Sequence, residues 1–302
     1  MAPRKLSIYL IFIVLYTNSI ICTFTITNNC PYTIWPGTLA GSGTPQLPTT
    51  GFQLNPGLSF SIPNYPGWSG RIWARTGCTF DETGLGSCQT GDCGGRLECG
   101  GIGATPPASL FEITLGIGDK KDFYDVSIVD GYNLPLVAGP RGIYGGCNAT
   151  GCVVDINMGC PTELQVIGND GEEGGVVACR SACEAFGLDQ YCCSGEFANP
   201  NTCKPSFYSG IFKRACPRAY SYAFDDGTST FTCKSPDYAI IFCPNSGMRR
   251  IDGGSQAPVD GERRTKKLNT GSKYGQPKGQ ILSKRIESSD VVVQLNNTLK
   301  RY

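Results

Sequence analysis

The chain has 302 residues, 26 of them Lys or Arg, 25 Asp or Glu, and none His, for a net charge of +1. Without histidine, neither a Ser-His-Asp triad nor a Cys-His dyad can form. The 17 cysteines are not spaced as two CxxC zinc-binding motifs, so we expect no metal and no cofactor. Residues 23–248 carry 12 basic and 20 acidic side chains, and this acidic balance argues against nucleic acid or an anionic membrane as the partner.

Residues 1–22 have the layout of a secretory signal peptide. Arg4 and Lys5 precede an apolar run over residues 6–15, and small or polar residues follow as far as Cys22. A membrane anchor is the alternative, but the apolar run is too short to span a bilayer comfortably. We therefore expect cleavage near Cys22, secretion and no membrane anchor. The remaining 16 cysteines would allow up to eight disulfides.

Short stretches of alternating polar and apolar residues dominate the first part of the chain after the leader. They are separated by turns rich in Gly, Pro and Asn, which favours an all-β sandwich or barrel. A further buried strand is predicted near the end of the body, where the sequence reads YAIIFC. The predicted strands lie at residues 23–26, 32–36, 52–62, 70–76, 108–115, 124–129 and 238–243.

From Cys147 onwards the alternation fades and cysteines become frequent. Residues 175–188 have apolar spacing that predicts one amphipathic helix, which Gly187 could end. The rest of the interval up to Cys216 is expected to be irregular and held by disulfides. Residues 246–302 form a basic extension whose composition predicts disorder, with roles as a sorting propeptide, a tether or a plain extension left open.

One cysteine- and glycine-rich stretch, residues 84–99, reads GLGSCQTGDCGGRLEC. This pattern closely resembles the signature of the thaumatin-like proteins, the fifth family of plant pathogenesis-related proteins. Five other segments resemble the same family: residues 24–30 (FTITNNC), 70–78 (GRIWARTGC), 191–193 (YCC), 212–217 (FKRACP) and 219–226 (AYSYAFDD).

The resemblance covers residues 23–245 and implies a mainly β protein. It would have a β-sandwich core, a disulfide-rich region of loops and helix at about 147–216, and a small stapled loop at 78–99. The family pairing implies eight disulfides: Cys30–Cys243, Cys78–Cys88, Cys93–Cys99, Cys147–Cys233, Cys152–Cys216, Cys160–Cys179, Cys183–Cys192 and Cys193–Cys203.

The resemblance also implies an acidic cleft between the sandwich and the disulfide-rich region. Matched motif by motif, its residues are Arg71, Glu112, Asp125, Asp130 and Asp225. Carboxyl groups gathered in one cleft raise one another's pKa, so one can stay protonated while another is ionised. Glycoside hydrolysis uses this division of roles, and here Glu112 would be the acid and Asp130 its partner.

Three functions stay open at this point. The first is a secreted, antifungal defence protein whose cleft binds β-1,3-glucan or another fungal surface component. The second is an endo-β-1,3-glucanase, and the third is a non-catalytic, stress-induced protein of the apoplast. We expect a monomer in the apoplast, with the vacuole as the alternative compartment.

Two further sets of residues are candidates for modification or sugar contact. Asn148 and Asn296 begin sequons for N-glycosylation, although the neighbouring Cys147 could crowd the first of them. Tyr220, Tyr222, Phe207 and Tyr208 could stack on sugar rings, or could pack in the core and loops.

Overall fold

The structure, a computed structural model, describes residues 22–141, 147–169 and 174–244. The predicted leader (except Cys22) and the basic extension with Asn296 lie outside these residues. In the described part of the chain the strands are β1 Cys22–Asn28, β2 Trp35–Ala40, β3 Ser59–Asn64, β4 Ser69–Arg75, β5 Thr79–Phe80, β6 Gly86–Ser87, β7 Leu110–Thr114, β8 Asp122–Ser127, β9 Leu136–Pro140, β10 Thr150–Cys152, β11 Gln165–Ile167, β12 Val176–Cys179, β13 Phe231–Cys233 and β14 Asp237–Phe242.

Two five-stranded sheets form the sandwich that the sequence predicts. One has the order β10-β9-β14-β1-β3 and the other the order β13-β8-β7-β4-β2. Alternate side chains of both sheets enter a shared core, where Phe24 packs edge-on against Trp68 with ring centroids 5.2 Å apart. From the second sheet, the side chains that enter this core include those of Ile72, Phe111 and Tyr124. Because successive side chains of a strand point to opposite faces, their neighbours along each strand lie on the outer face of the sheet.

The first and last strands of the described body are neighbours at the centre of one sheet. β1 and β14 run parallel, with Phe24 opposite Tyr238, and Cys30 and Cys243 follow just beyond their ends. The disulfide between these cysteines closes a sequence separation of 213 residues. In the chain-entropy model, closing so long a loop is worth about 5 kcal/mol.

The eight disulfides join the pairs that the family resemblance implies. The adjacent Cys192 and Cys193 bond in different directions, to Cys183 and to Cys203. They therefore fix two separate segments to one point of the disulfide-rich region. Eight bridges fit an extracellular protein, because disulfides persist in oxidising compartments.

The disulfide-rich region contains the hairpin β11–β12 and short helices. In the part of the chain that the structure describes, the α-helices are α1 Ala182–Phe186, α2 Asp189–Cys192, α3 Phe207–Ala215 and, beyond this region, α4 Asp226–Ser229; 3-10 turns lie at Ile156–Gly159, Thr162–Leu164 and Gly195–Phe197. Within the described ranges, no helix combines the length and apolar character that crossing a membrane requires.

The helix predicted over residues 175–188 is wrong in its first half. Val176–Cys179 is strand β12, paired with β11. Its last residue, Cys179, also exchanges two backbone hydrogen bonds with Tyr132, at 2.7 and 2.8 Å, and this tertiary pairing requires an extended backbone. The helix begins only after Ser181, whose side chain accepts a hydrogen bond from the backbone N–H of Glu184. Its end is as predicted, with Gly187 in the left-handed conformation at φ 63°.

A buried arginine fastens the stapled loop at residues 78–99 to the second sheet. Arg75 is fully buried, and its Nε donates to the carbonyl oxygen of Trp35 at 2.9 Å. The two Nη atoms donate to the carbonyl oxygens of Arg96 at 2.7 Å and Leu97 at 2.8 Å, and one also reaches Pro36. One guanidinium therefore connects strand β2 to the far end of the loop.

This arrangement predicts a large effect for Arg75→Lys. A lysine keeps the charge but lacks the planar guanidinium group with its several donors. The carbonyl oxygens of either strand β2 or the stapled loop would therefore lose their hydrogen-bond donor. We expect the free energy of unfolding to fall by about 3 kcal/mol, measured by guanidinium unfolding with the disulfides intact. The matched control is Arg96→Lys, an exposed position in the same loop, for which we expect a change under about 0.5 kcal/mol. Equal unfolding midpoints for the two variants would contradict the proposed anchoring.

Candidate functional site: an acidic cleft

A row of side chains crosses the outer face of the second sheet. In the strand register Leu39 lies opposite Arg71, Arg71 opposite Glu112, and Glu112 opposite Asp125. Residues directly opposite each other in antiparallel strands place their side chains on one face, about 5 Å apart. The structure therefore brings three of the five predicted cleft residues into one line.

A second row lies beside the first, two residues further along each strand. Ser69 is opposite Thr114, their hydroxyls are 2.8 Å apart, and Thr114 is opposite Phe123. The ring of Phe123 is 54% exposed. The two rows line an open groove of about 390 Å³ that presents carboxylates, hydroxyls, a guanidinium and one aromatic ring.

The cation in the groove is only loosely paired. Arg71 Nε lies 3.5 Å from Glu112 Oε1, and the two side chains are 41% and 35% exposed. A pair so open to water contributes little stability, and Arg71 keeps donors free for other partners. Burial raises the pKa of Glu112, Arg71 opposes this rise, and the charge of Asp130 adds to it. Glu112 is therefore a weaker acid than an ordinary glutamic acid.

Asp125 has the largest pKa shift among the cleft acids. Its Oδ1 is buried and accepts no hydrogen bond within the described residues. Burial, together with the charges of Glu112 and Asp226, raises the pKa of Asp125 from 3.8 to about 8. At neutral pH this carboxyl is therefore mostly protonated and can act as a hydrogen-bond or proton donor.

Asp130 lies in the turn after β8, towards the disulfide-rich region. Its charge acts on Glu112 on the sheet side and on Glu184 of α1 on the other side. For Glu184, burial is the main cause of a pKa raised to about 7, with Arg180 opposing and Asp130 adding to the rise. Asp130 thus interacts electrostatically with both Glu112 of the sheet and Glu184 of the disulfide-rich region.

The fifth predicted residue, Asp225, is bound to its own surroundings. Its Oδ2 forms an ion pair with Lys213 Nζ at 2.8 Å and accepts hydrogen bonds from the backbone N–H and hydroxyl of Ser221. The next residue, Asp226, accepts a hydrogen bond from the Tyr220 hydroxyl at 2.9 Å and raises the pKa of Asp125. Of this adjacent pair, Asp226 is the acid that acts on the cleft, and Asp225 anchors the turn to α3.

Sequence reasoning missed two acids that act on the cleft. The sequence shows Asp226 as the second residue of an Asp-Asp pair, but the motif gives no reason to choose it over Asp225 as the cleft residue. Glu184 lies in a helix that periodicity predicts, and no local pattern indicates that this helix faces the sheet. Asn148, the one sequon residue in the described ranges, is exposed, while its backbone oxygen accepts a short hydrogen bond from the Tyr124 hydroxyl.

Comparisons with known proteins show which family this chain resembles. The model of the Thaumatin family matches residues 28–244. Thaumatin-like protein 1 of Arabidopsis thaliana is 57% identical over 231 residues, covering 74% of this chain and 86% of that protein. Pathogenesis-related protein 5 of Arabidopsis thaliana is 55% identical over 242 residues, covering 79% and 98%. Among solved structures, a laminaripentaose-producing β-1,3-glucanase in complex with laminaritetraose matches with a TM-score of 0.49 and 14% identity, covering 74% of this chain and 98% of that one.

Fold and disulfides together describe a stapled β-sandwich with a cysteine-rich region on one side. With the family model spanning most of the body and relatives above half identity, the chain belongs to the thaumatin family, among the thaumatin-like, pathogenesis-related 5 proteins of plants. This membership supports a role in plant defence.

The raised pKa of Asp125 predicts a pH-dependent cost to stability. Below pH 3.8 the Asp125 carboxyl is protonated in both the native and the unfolded state and does not affect stability. Between pH 3.8 and about 8 it is ionised in the unfolded chain but still protonated in the native state. The free energy of unfolding therefore falls as the pH rises through this range. Asp125→Asn removes this cost. We expect the free energy of unfolding of the variant to equal that of the wild type near pH 3.5 and to exceed it by about 2 kcal/mol at pH 8. This difference is smaller than the pKa shift alone implies, because water in the open groove screens the charge.

Guanidinium unfolding at the two pH values measures this difference. Asp119→Asn is the matched control, because Asp119 is exposed and pairs with the exposed Lys234 at 3.1 Å. We expect its effect to be the same at both pH values. A parallel pH profile for Asp125→Asn and the wild type would contradict the raised pKa.

Proposed function

We propose that this protein is a secreted plant defence protein whose acidic cleft binds β-1,3-glucan of fungal walls and thereby inhibits fungal growth. Family membership supports the defence role, and the disulfides support an extracellular location, with the apoplast preferred over the vacuole. The observation that carries the proposal is the pair of side-chain rows across β4, β7 and β8, which makes an open groove rather than a closed pocket.

The chemistry of the groove suits a neutral polymer of sugars. Arg71 offers donors, Glu112 offers acceptors, and the protonated Asp125 offers both, so each can bond a sugar hydroxyl. Phe123 supplies an exposed ring at the edge of the groove for the apolar face of a sugar. Carboxylates disfavour anionic polymers such as nucleic acid, because like charges repel in a partly desolvated site. An open groove also admits an internal stretch of a long chain.

A second function, endo-β-1,3-glucanase, is favoured by the acid strengths in the cleft. Hydrolysis of a glycosidic bond needs one protonated carboxyl to protonate the leaving oxygen and one ionised carboxyl to act as base or nucleophile. Burial keeps Glu112 protonated to a higher pH than usual, which suits the donor, and Asp130 is its partner in this proposal. Asp125, with a pKa raised to about 8, is a further candidate for the donor.

Glu112→Gln separates these functions in one experiment. The glutamine keeps the shape and hydrogen bonding of the side chain but has no titratable proton. Reducing-sugar release and retention on insoluble β-1,3-glucan are measured for the wild type and the variant. For a hydrolase we expect release from the wild type to fall at least about 100-fold in the variant. For a binding protein we expect no release from either, and wild-type retention that weakens several-fold in the variant because a neutral amide accepts weaker hydrogen bonds from sugar hydroxyls than a carboxylate does.

The matched control is Glu82→Gln, an exposed position in the stapled loop, which should behave as the wild type in both assays. If the wild type neither binds nor cleaves glucan, the cleft has no sugar function. The third alternative, a non-catalytic stress-induced protein, would then be preferred.

A further inference from the structure

The groove on the second sheet adjoins two further cavities beside the turn that connects β7 and β8. Thr114 and Phe123, which line the groove, also line a second cavity of about 550 Å³. This second cavity shares Leu115, Gly116 and Lys120 with a third, of about 320 Å³. Both volumes lie in the range of about 300–1,000 Å³ that is typical of small-molecule sites. One ligand can therefore extend from the groove into the cavities beside it.

The second and third cavities differ from the groove in chemistry. Ile117 and Phe123 line the second cavity, and they are 67% and 54% exposed. Exposed apolar side chains that lie together mark a surface that a partner or ligand can cover. We call these two cavities the apolar trough, whose apolar and glycine lining includes Pro66, Gly67, Leu115, Gly116, Ile117 and Phe123.

The polar groups of the apolar trough do not suit a sugar ring. Asp122 is buried, and it already accepts hydrogen bonds from two backbone N–H groups and from the Tyr238 hydroxyl. Lys120, Lys121 and Lys234 also contribute to the lining, and a lysine lays its hydrocarbon stem along an apolar surface while its ammonium group stays in water. Sugar hydroxyls placed here would lose water and gain few partners, which costs free energy. A hydrocarbon chain would instead be stabilised by each methylene that leaves water.

The turn that forms the apolar trough is fixed by its backbone. A Cβ atom on Gly116 would lie 2.2 Å from the carbonyl oxygen of Lys120, so only glycine fits there. The N–H of Gly116 donates to Asp122 Oδ1 at 2.8 Å, which ties the turn to a buried carboxylate. The Cδ1 atom of Ile117 lies 2.9 Å from the position that a Cβ atom on Gly67 would take, so the isoleucine packs over bare backbone. The apolar trough is therefore formed before a ligand arrives, and binding costs little ordering.

We propose that the groove and the apolar trough form one site for a glycolipid, with its neutral sugar head in the groove and its hydrocarbon chain in the apolar trough. The order of the surfaces supports this assignment. Arg71, Glu112 and Asp125 offer hydrogen bonds in the groove, Phe123 lies at the boundary, and apolar lining follows. This inference rests on the proposed sugar binding in the groove. It adds that a sugar bearing a hydrocarbon chain binds more tightly than the same sugar alone.

The test uses the full chain and four β-glucosides, which carry a methyl, hexyl, octyl or decyl chain and are kept below their critical micelle concentrations. NMR titration gives the Kd of each glucoside. For the wild type we expect the Kd to fall about two- to fourfold for each added methylene, because each one leaves water on binding. Equal Kd values for the methyl and decyl glucosides would overturn the proposal.

A matched pair of variants locates the hydrocarbon chain. We expect Ile117→Ser to bind the methyl glucoside as the wild type does and the decyl glucoside about tenfold more weakly. Ile167→Ser is the control, because Ile167 is a 54% exposed isoleucine in β11, outside the site. It should match the wild type for all four ligands. Thermal unfolding verifies that both variants are folded. Equal affinities of the two variants for the decyl glucoside would show that the chain does not lie in the apolar trough, and would overturn the proposal.

A ligand without sugar tests the recognition of the head. The octyl ether of tri(ethylene glycol) has the same chain as the octyl glucoside and a neutral head that lacks a sugar ring. We expect it to bind the wild type at least about tenfold more weakly, because it cannot donate to the carboxylates of the groove through ring hydroxyls. Equal affinity for the two octyl ligands would mean that hydrocarbon alone is recognised, as for an adventitious additive only, and would overturn the proposal.

Glu112→Gln distinguishes failure of this inference from failure of the proposed function. If glucan retention depends on Glu112 while chain length does not affect glucoside binding, the glycolipid site is wrong and the glucan proposal stands. If the wild type does not retain glucan and Glu112→Gln binds the decyl glucoside as the wild type does, the proposed function fails and the joint site fails with it.

Sedimentation tests the other occupant of the apolar trough, a second copy of the chain. Self-association that Ile117→Ser abolishes, without any effect of chain length on glucoside binding, would make this surface a contact between two copies and overturn the proposal.

Discussion

The acidic cleft depends on the strand register of the second sheet. Arg71, Glu112 and Asp125 form one row only because β4, β7 and β8 pair with these residues opposite one another. A shift of one residue would turn each of them into the core and bring Ile72 or Phe111 to the surface. The buried partners therefore specify the register, and the hydrophobic core places the polar row without any direct contact with a ligand.

Gathering carboxyls in one partly buried place works against stability, and the rest of the fold offsets this. Glu112, Asp125 and Glu184 all have raised pKa values, with burial as the main cause in each case. The disulfides supply stability that does not depend on the protonation of the cleft. The disulfide Cys183–Cys192 also holds α1 in place, so that repulsion between Glu184 and Asp130 cannot simply move the helix away.

Much of the fold could be predicted because its causes are local. Alternation of polar and apolar residues predicts most strands of the sandwich, and Gly187 ends a helix because it adopts a left-handed conformation there. The helix predicted over residues 175–188 was wrong in its first half, where a tertiary contact decides the structure, since Cys179 of β12 bonds the backbone of Tyr132. The cleft residues came from motif resemblance, and geometry then separated Asp225 from Asp226. Nothing in the adjacent pair of aspartates tells which one Lys213 will neutralise.

Helix α1 links the disulfide-rich region electrostatically to the acids of the sheet. It carries Glu184, whose pKa is raised by burial, lowered in part by Arg180, and raised further by Asp130 in the turn after β8. Short helices of five or fewer residues would not be stable alone, because so few hydrogen bonds cannot offset the cost of nucleation. The disulfides at Cys183, Cys192 and Cys193 stabilise such helices, because they join α1 to α2 and the end of α2 to the segment that leads into α3. The spacing of these cysteines therefore determines where Glu184 lies relative to Asp130.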